Sequence, residues 1–264
     1  MAKLKTRLYS KFNEALRLLG KGDFSAIRHK ISENLTGKKY KNSDFRILVD
    51  EKEIKAKFEK ALLFLKKELH EEQSFGDYLE FGVSHGNSML FMYQTLEKLK
   101  FNNVRLFGFD SFEGLPDEAE HDDDGLWTPG DYYAKERNVR SFLTKKGIDW
   151  SRVNLTKGWF KNTLNNSFIE KNNVKSAGVI MVDCDMYSSA KEALDFCVPL
   201  IKNKTIIFFD DWNSSNLAEK NLGEKKAFLE FLEENPQFES VDFDTYSFQG
   251  NQNGEIKLVS LKQD

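Results

Sequence analysis

The chain has 264 residues, is 40% apolar and 13% aromatic with 23 Phe, and carries a formal net charge of −3. That length suits one large domain, or a domain with an appendage, around a sizeable core. Cys184 and Cys197, both inside apolar runs, argue against a disulfide framework or a cysteine metal site and for a reducing compartment. No run reaches the roughly 18 apolar residues of a membrane span, and the start shows no signal-peptide core, so a cytoplasmic protein is expected.

Residues 1–41 carry eleven Lys/Arg against three Asp/Glu, which leaves the remainder strongly acidic. A nucleic-acid enzyme would gather positive charge round its cleft; here the charge sits on an appendage, so no nucleic-acid partner is expected. Residues 1–45 read as a basic amphipathic arm. Leu4, Leu8, Phe12 and Leu16 fall at helical spacing, Gly20–Asp23 breaks the pattern, and a second short helix runs to about Leu35. Such an arm packs on its own domain or on a second subunit, or lies peripherally on an anionic membrane. The first use is set ahead of the second, and a homo-oligomer is expected.

Residues 46–264 form the main domain. Ile54, Phe58, Leu62, Leu65 and Leu69 predict a helix over 51–72. Strands and helices then alternate: strand Asp77–Gly82, helix Gly86–Leu99, strand Val104–Asp110, a long polar loop, and helix Tyr132–Lys146. Strand Val153–Thr156, a short helix after Lys161, strand Ala177–Asp183 and helix Ser188–Leu200 follow. Strand Thr205–Asp210 and helix Leu222–Glu234 lead to a hairpin of Phe238–Phe248 and Glu255–Leu261. This alternation predicts an α/β fold: a mostly parallel sheet, helices on both faces, and a closing antiparallel hairpin.

Chemistry-bearing residues fall at the carboxyl ends of the strands, where open α/β sheets bind ligands. Glu80-Phe-Gly82-Val-Ser-His-Gly86 is a glycine turn that lets backbone approach a ligand, and Asp110 ends the next strand where a ribose would sit. Together they suggest a nucleoside-containing cofactor, with spacing that fits S-adenosylmethionine better than a dinucleotide. Met181-Val-Asp183-Cys-Asp185 and Ile206-Ile-Phe-Phe-Asp210-Asp211 are apolar strands that each end in two acids. Neighbouring parallel strands would crowd four carboxylates into one cleft. A hard divalent cation, magnesium first, relieves that repulsion. A plainer role, capping the helix that follows, is open to Asp185. The acidic run Asp117–Asp124 reads equally as a solvated loop and as a lid.

These segments resemble the macrocin O-methyltransferase family, the metal-dependent sugar O-methyltransferases of macrolide and aminocoumarin biosynthesis. The resemblance rests on Glu80–Gly86, Gly108–Pro116, Gly158-Trp-Phe-Lys-Asn-Thr-Leu164, Asp183-Cys-Asp-Met-Tyr-Ser-Ser189 and Asp210-Asp211, in order over about residues 75–235. Trp212 stands where the family usually has tyrosine, and Ser189 where it has threonine. The resemblance implies a Rossmann-like class I methyltransferase with a seven-stranded sheet. It would use S-adenosylmethionine and Mg2+ to methylate a hydroxyl of a sugar or glycan-type acceptor. Glu80, Gly82, Gly86 and Ser88 would surround the cofactor's amino acid part, Asp110 its ribose, and Ser111 and Trp159 its adenine. Asp183, Asp210 and Asp211 would hold the metal, with Asp183 also the base and Asp185 supporting or replacing a ligand. An aromatic diol acceptor, or a non-catalytic scaffold on the same fold, are the alternatives.

Overall fold

The structure, a computed structural model, describes residues 50–69, 75–248 and 252–262. The expected arm over 1–45 lies outside the described residues, as does 70–72 at the end of the first expected helix. Seven strands form one sheet: β1 (Asp77–Phe81), β2 (Leu106–Asp110), β3 (Val153–Lys157), β4 (Ala177–Val182), β5 (Lys204–Phe209), β6 (Phe238–Phe248) and β7 (Gln252–Leu261). Their order is β3-β2-β1-β4-β5-β7-β6. The first five are parallel, and β7 runs antiparallel to both β5 and β6. This is the Rossmann-like sheet with a terminal hairpin that the sequence predicts. The chain leaves β1 towards β2 and β3, then restarts at β4 on the other side. The crevice between the carboxyl ends of β1 and β4 is therefore the topological switch point.

Strand alternation divides the core. Tyr78, Met181, Ile206 and Phe208 face one way, with α1 (Glu51–Glu68), α2 (Asn87–Leu99) and α3 (Glu136–Lys145) packed over them. Leu79, Phe81, Ile180, Val182, Ile207 and Phe209 face the other. There they meet α4 (Phe160–Thr163), α5 (Asn166–Lys171), α6 (Tyr187–Cys197) and α8 (Gly223–Glu234), while α7 (Leu217–Lys220) flanks the sheet's end. β4, buried at all six positions, shows the unbroken apolar run of a strand covered on both faces. Phenylalanines dominate the second face: Phe81 stacks on Phe109 at 5.3 Å, and Phe168 meets Phe109 edge-on at 4.8 Å.

Helix α1 shows how sequence sets an element. Asp50 caps it, its Oδ1 accepting from the amides of Lys52 and Glu53 at 2.9 Å each. Ile54, Phe58, Leu62 and Leu65 then recur on one buried face. From the same helix Lys57 and Lys60 reach Asp244 on β6 at 2.9 and 2.7 Å, tying it to the hairpin. Several boundaries differ from expectation, beginning with α1, which ends at Glu68 because Leu69 is extended. The helix expected from Tyr132 begins only at Glu136, because Tyr132 takes a left-handed conformation (φ 60°) in the preceding loop. The short helix after Lys161 is two, separated by Asn165, whose side chain caps the second at the Phe168 amide, 3.0 Å. The helix expected over 188–200 ends at Cys197 and passes into a 3-10 turn at Val198–Leu200, with a proline in its first turn. Both cysteines are buried and free. Among the described residues no helix is long and apolar enough to cross a membrane.

Candidate active site

The first half of the site is the glycine turn after β1. Gly82 (φ 91°) and Gly86 (φ 82°) both need left-handed backbone, and Gly86 occupies the N-cap position of α2. Glu80 lies fully buried beneath this turn. One carboxylate oxygen accepts from the Tyr78 hydroxyl at 2.6 Å and the other from the Ser88 hydroxyl at 2.7 Å. Burial pushes its pKa up to about 7, against the lowering effect of those bonds. At the end of β2, Asp110 bridges two loops. Its Oδ2 accepts from the Ser84 amide at 2.7 Å and its Oδ1 from the Phe112 amide at 2.6 Å. Burial nevertheless holds its carboxyl above the usual range. The Gly158 amide donates to the Asp110 carbonyl at 2.9 Å, which sets half-buried Trp159 at the neighbouring strand end. Ser111 turns inward, donating to the Gly114 carbonyl at 2.8 Å and accepting from the Glu113 amide at 3.0 Å. It shapes the turn after β2.

The second half is acidic. Single carboxylate oxygens of Asp183, Asp210 and Asp211 all lie within 4.8 Å of one another, at the ends of neighbouring parallel strands β4 and β5. The fourth acid, Asp185, is buried in a left-handed conformation (φ 65°), and its charge and that of Asp211 act on each other. Burial, then the neighbouring acids, raise Asp183 and Asp185 well above ordinary carboxylates. Burial and then Asp211 push Asp210 up to about 8, against a 2.9 Å hydrogen bond from the Tyr246 hydroxyl. Asp211 accepts from Ser214 Oγ at 2.5 Å. The ion pairs of the described residues include none at these four acids. The set is thus rich in hard oxygen donors and in repulsion, and among the described residues no side-chain cation pairs with it. That donor chemistry fits a divalent ion. A separate cavity of about 540 Å³ lies at the opposite, amino ends of the strands, between Lys66, Asp77, Arg105 and Lys175, away from all these groups.

In the acidic loop Asp117, Glu118, Glu120 and Asp124 are exposed, while its base is packed. Gly130 donates to the Leu115 carbonyl at 2.8 Å, and Leu115 to that of Asp131 at 2.9 Å, which pins the loop's two ends together. Inside it, Ala119 and Trp127 pack with Met186 and Leu217, and Asp123 is buried. Just past its neck, Tyr132 is 48% exposed, and the negative charge of Asp185 foremost raises its phenol above the ordinary range.

Several contributors escape the sequence reading. Tyr78 sits two residues before Glu80 on the same strand face, a period-2 signal that was there to be used. Tyr246 reaches Asp210 from β6, a partner with no local trace. Its ring lies where a Cβ on the cross-strand Gly254 would be, 2.2 Å from the nearest ring carbon. Glu224, in the first turn of α8, is fully buried and accepts from the Asp211 amide at 3.0 Å, and its Oε1 has no hydrogen-bond partner.

The family model described as macrocin-O-methyltransferase (TylF) matches residues 55–232. The chain is 27% identical over 148 residues to the 8-demethyl-8-(2,3-dimethoxy-alpha-L-rhamnosyl)-tetracenomycin-C 4'-O-methyltransferase of Streptomyces olivaceus, covering 52% of this chain and 53% of that protein. It is 25% identical over 169 residues to demethyldecarbamoylnovobiocin O-methyltransferase of Streptomyces niveus, covering 60% and 61%. The chain therefore spans little more than half the length of these curated relatives. Among solved structures, the calicheamicin methyltransferase CalS11 superposes with a TM-score of 0.58 at 17% identity, over 93% of this chain and 95% of that one. The O-methyltransferase NovP gives 0.57 at 18%, over 80% and 79%. At those identities the two structures show the shared fold. The family match runs over β1 to β5, the glycine turn and all four acids, and by it the chain belongs to the macrocin O-methyltransferase family.

Proposed function

We propose that the protein is an S-adenosylmethionine- and divalent-metal-dependent O-methyltransferase that acts on a hydroxyl of a sugar or glycan-type small molecule. The observation that carries this reading is the convergence of Asp183, Asp210 and Asp211 within 4.8 Å, across the switch point from the Gly82–Gly86 turn. When bound, the cofactor supplies an electrophilic methyl group, and the cation lowers the pKa of a hydroxyl beside it.

The chain's own residues do the rest. Asp183, Asp210 and Asp211 hold the cation, with Asp185 supporting or replacing one of them. Asp183 takes the proton of the reacting hydroxyl. Glu80, Gly82, Gly86 and Ser88 form the wall behind the cofactor's amino acid part. The two Asp110 oxygens accept the Ser84 and Phe112 amides, and the carboxylate keeps acceptor capacity for a ribose hydroxyl. Ser111 and Trp159 border the base. The sugar hydroxyl named in the tetracenomycin relative's description supports a sugar acceptor here.

Two assays test the reading. Titration calorimetry should show Asp110→Ala weakening S-adenosylmethionine by roughly 1.5–3 kcal/mol, the worth of lost bonds to a charged group. Mass spectrometry of glycosides and nucleotide sugars with adjacent free hydroxyls should show transfer of one methyl group, with catechols unreacted. Methylated catechol and untouched sugars would overturn the acceptor class.

A further inference from the structure

Helices α6 and α8 begin without caps of their own. Met186 and Leu222 hold their N-cap positions, and neither helix has a side-chain cap bond there. Apolar residues in that role leave helix amides without partners. The acidic loop supplies what is missing. Asp123 Oδ2 accepts from the Tyr187 amide, the first of α6, at 2.9 Å, and from Trp127 Nε1 at 3.0 Å. Its Oδ1 accepts from the Gly223 amide, the first of α8, at 2.7 Å. Its neighbour Asp122 takes the Ser188 amide at 2.9 Å. One buried carboxylate therefore caps two helices, 64 and 100 residues away along the chain.

Those helix starts adjoin the acidic site from both sides. Tyr187 is two residues beyond Asp185. Gly223 precedes Glu224, whose Oε2 takes the Asp211 amide at 3.0 Å. Asp123 thereby links the segment after β4 to the segment after β5 through two hydrogen bonds, and a third ties it to Trp127 of its own loop. It is itself held in a left-handed conformation (φ 48°), in a loop whose neck is closed. We propose that Asp123 is a positioning residue of the carboxylate site: it sets the spacing between the Asp183–Asp185 and Asp210–Asp211 arms, and so the affinity for the cation. This rests on the metal reading above. It assigns the acidic loop to the site's framework.

The test uses Mn2+ as a spectroscopic probe in the full-length protein, with S-adenosylmethionine affinity and thermal midpoint measured alongside. Asp123→Asn leaves one acceptor oxygen for two helix amides and should weaken Mn2+ at least tenfold, with the cofactor's affinity within twofold. Trp127→Phe removes a donor that belongs to neither helix and should leave Mn2+ within twofold. A second pair works from the other end of the bond. Tyr187→Pro and Tyr187→Ala both lose the ring and its 2.6 Å hydroxyl bond to Glu230, and only Tyr187→Pro also loses the amide, at a first helical position that tolerates proline after the extended Met186 (φ −89°, ψ 146°). Tyr187→Ala keeps that amide. Weaker Mn2+ binding in Tyr187→Pro than in Tyr187→Ala is expected. Equal Mn2+ affinity in Asp123→Asn and the parent, or in Tyr187→Pro and Tyr187→Ala, would overturn the proposal. Should Asp123→Asn fail to fold, the Tyr187 pair decides alone. A parent protein that binds no Mn2+ would overturn the metal reading itself, which is a separate outcome.

Discussion

The carbonyl oxygen of Asp183 fills the space that a side chain on Gly82 would need: a Cβ built there lies 1.7 Å from it. The Asp183 amide also donates to the Phe81 carbonyl at 2.9 Å. The glycine turn and the carboxylate strand are thus joined backbone to backbone at the switch point. Gly82 is required by that joint and by its φ of 91°.

Gly82→Ala should therefore be costly. The neighbour is backbone and cannot swing aside, and the left-handed conformation adds strain. Together these should destabilise the fold by roughly 2–4 kcal/mol. Gly86→Ala should cost less, because its Cβ would meet the Val139 side chain at 3.0 Å. Urea unfolding of both variants checks the order. A Gly82→Ala protein as stable as the parent would remove the joint.

Tyr246→Phe removes the hydroxyl that donates to Asp210 at 2.9 Å. A buried acceptor then loses its partner, at about 1–3 kcal/mol of stability. That bond also lowers the Asp210 pKa, so its loss should shift the pH midpoint of Mg2+ binding upward. Magnesium titrations across pH, by calorimetry, read the shift. An unmoved midpoint would show that Tyr246 does not tune the site.

The strand-end chemistry was legible because it is local. Glu80, Asp110, Asp183 and Asp210 each close an apolar run, and a parallel sheet puts such ends on one edge. What was hidden depends on long-range partners. Asp123 is one acid in a charge run, and nothing near it marks it as the cap of two distant helices. Met186 and Leu222 did carry a signal, as helix starts without a capping side chain. Tyr246 and Gly254 make sense only as a cross-strand pair. Tyr132 fits a helical pattern by composition, and its left-handed backbone is set by the loop neck.

Stability should fall as pH rises while no cation is bound. Glu80, raised from 4.5 to about 7, contributes stability that is full below its unfolded pKa and lost as pH rises through about 7. Asp210, raised to about 8, acts in the same direction. Asp244 has the opposite sign. Burial would raise it, but Lys60 and Lys57 outweigh that and hold it at about 2, so its effect is complete below this window. The metal-free melting temperature should therefore drop between about pH 5 and 8, by a few kcal/mol in stability terms. Stabilisation by Mg2+ should grow over the same range, because its ligands bind deprotonated. Melting curves with and without Mg2+ decide it. A metal-free protein that gains stability over this window would contradict the assignment, and Glu80→Gln should flatten the slope.

The central claim is that Asp183, Asp210 and Asp211 work as cation ligands. Asp210→Asn and Asp211→Asn should each lose most turnover, and Asp183→Asn at least as much, because it removes both a ligand and the proposed base. Affinity for S-adenosylmethionine should stay nearly unchanged in all three, since its proposed contacts lie around Glu80 and Asp110. The most direct measurement is methyl transfer to a cognate sugar acceptor after exhaustive chelation, followed by return of Mg2+. Turnover should stop on chelation and recover with Mg2+. Full activity in the chelated enzyme would contradict the metal mechanism.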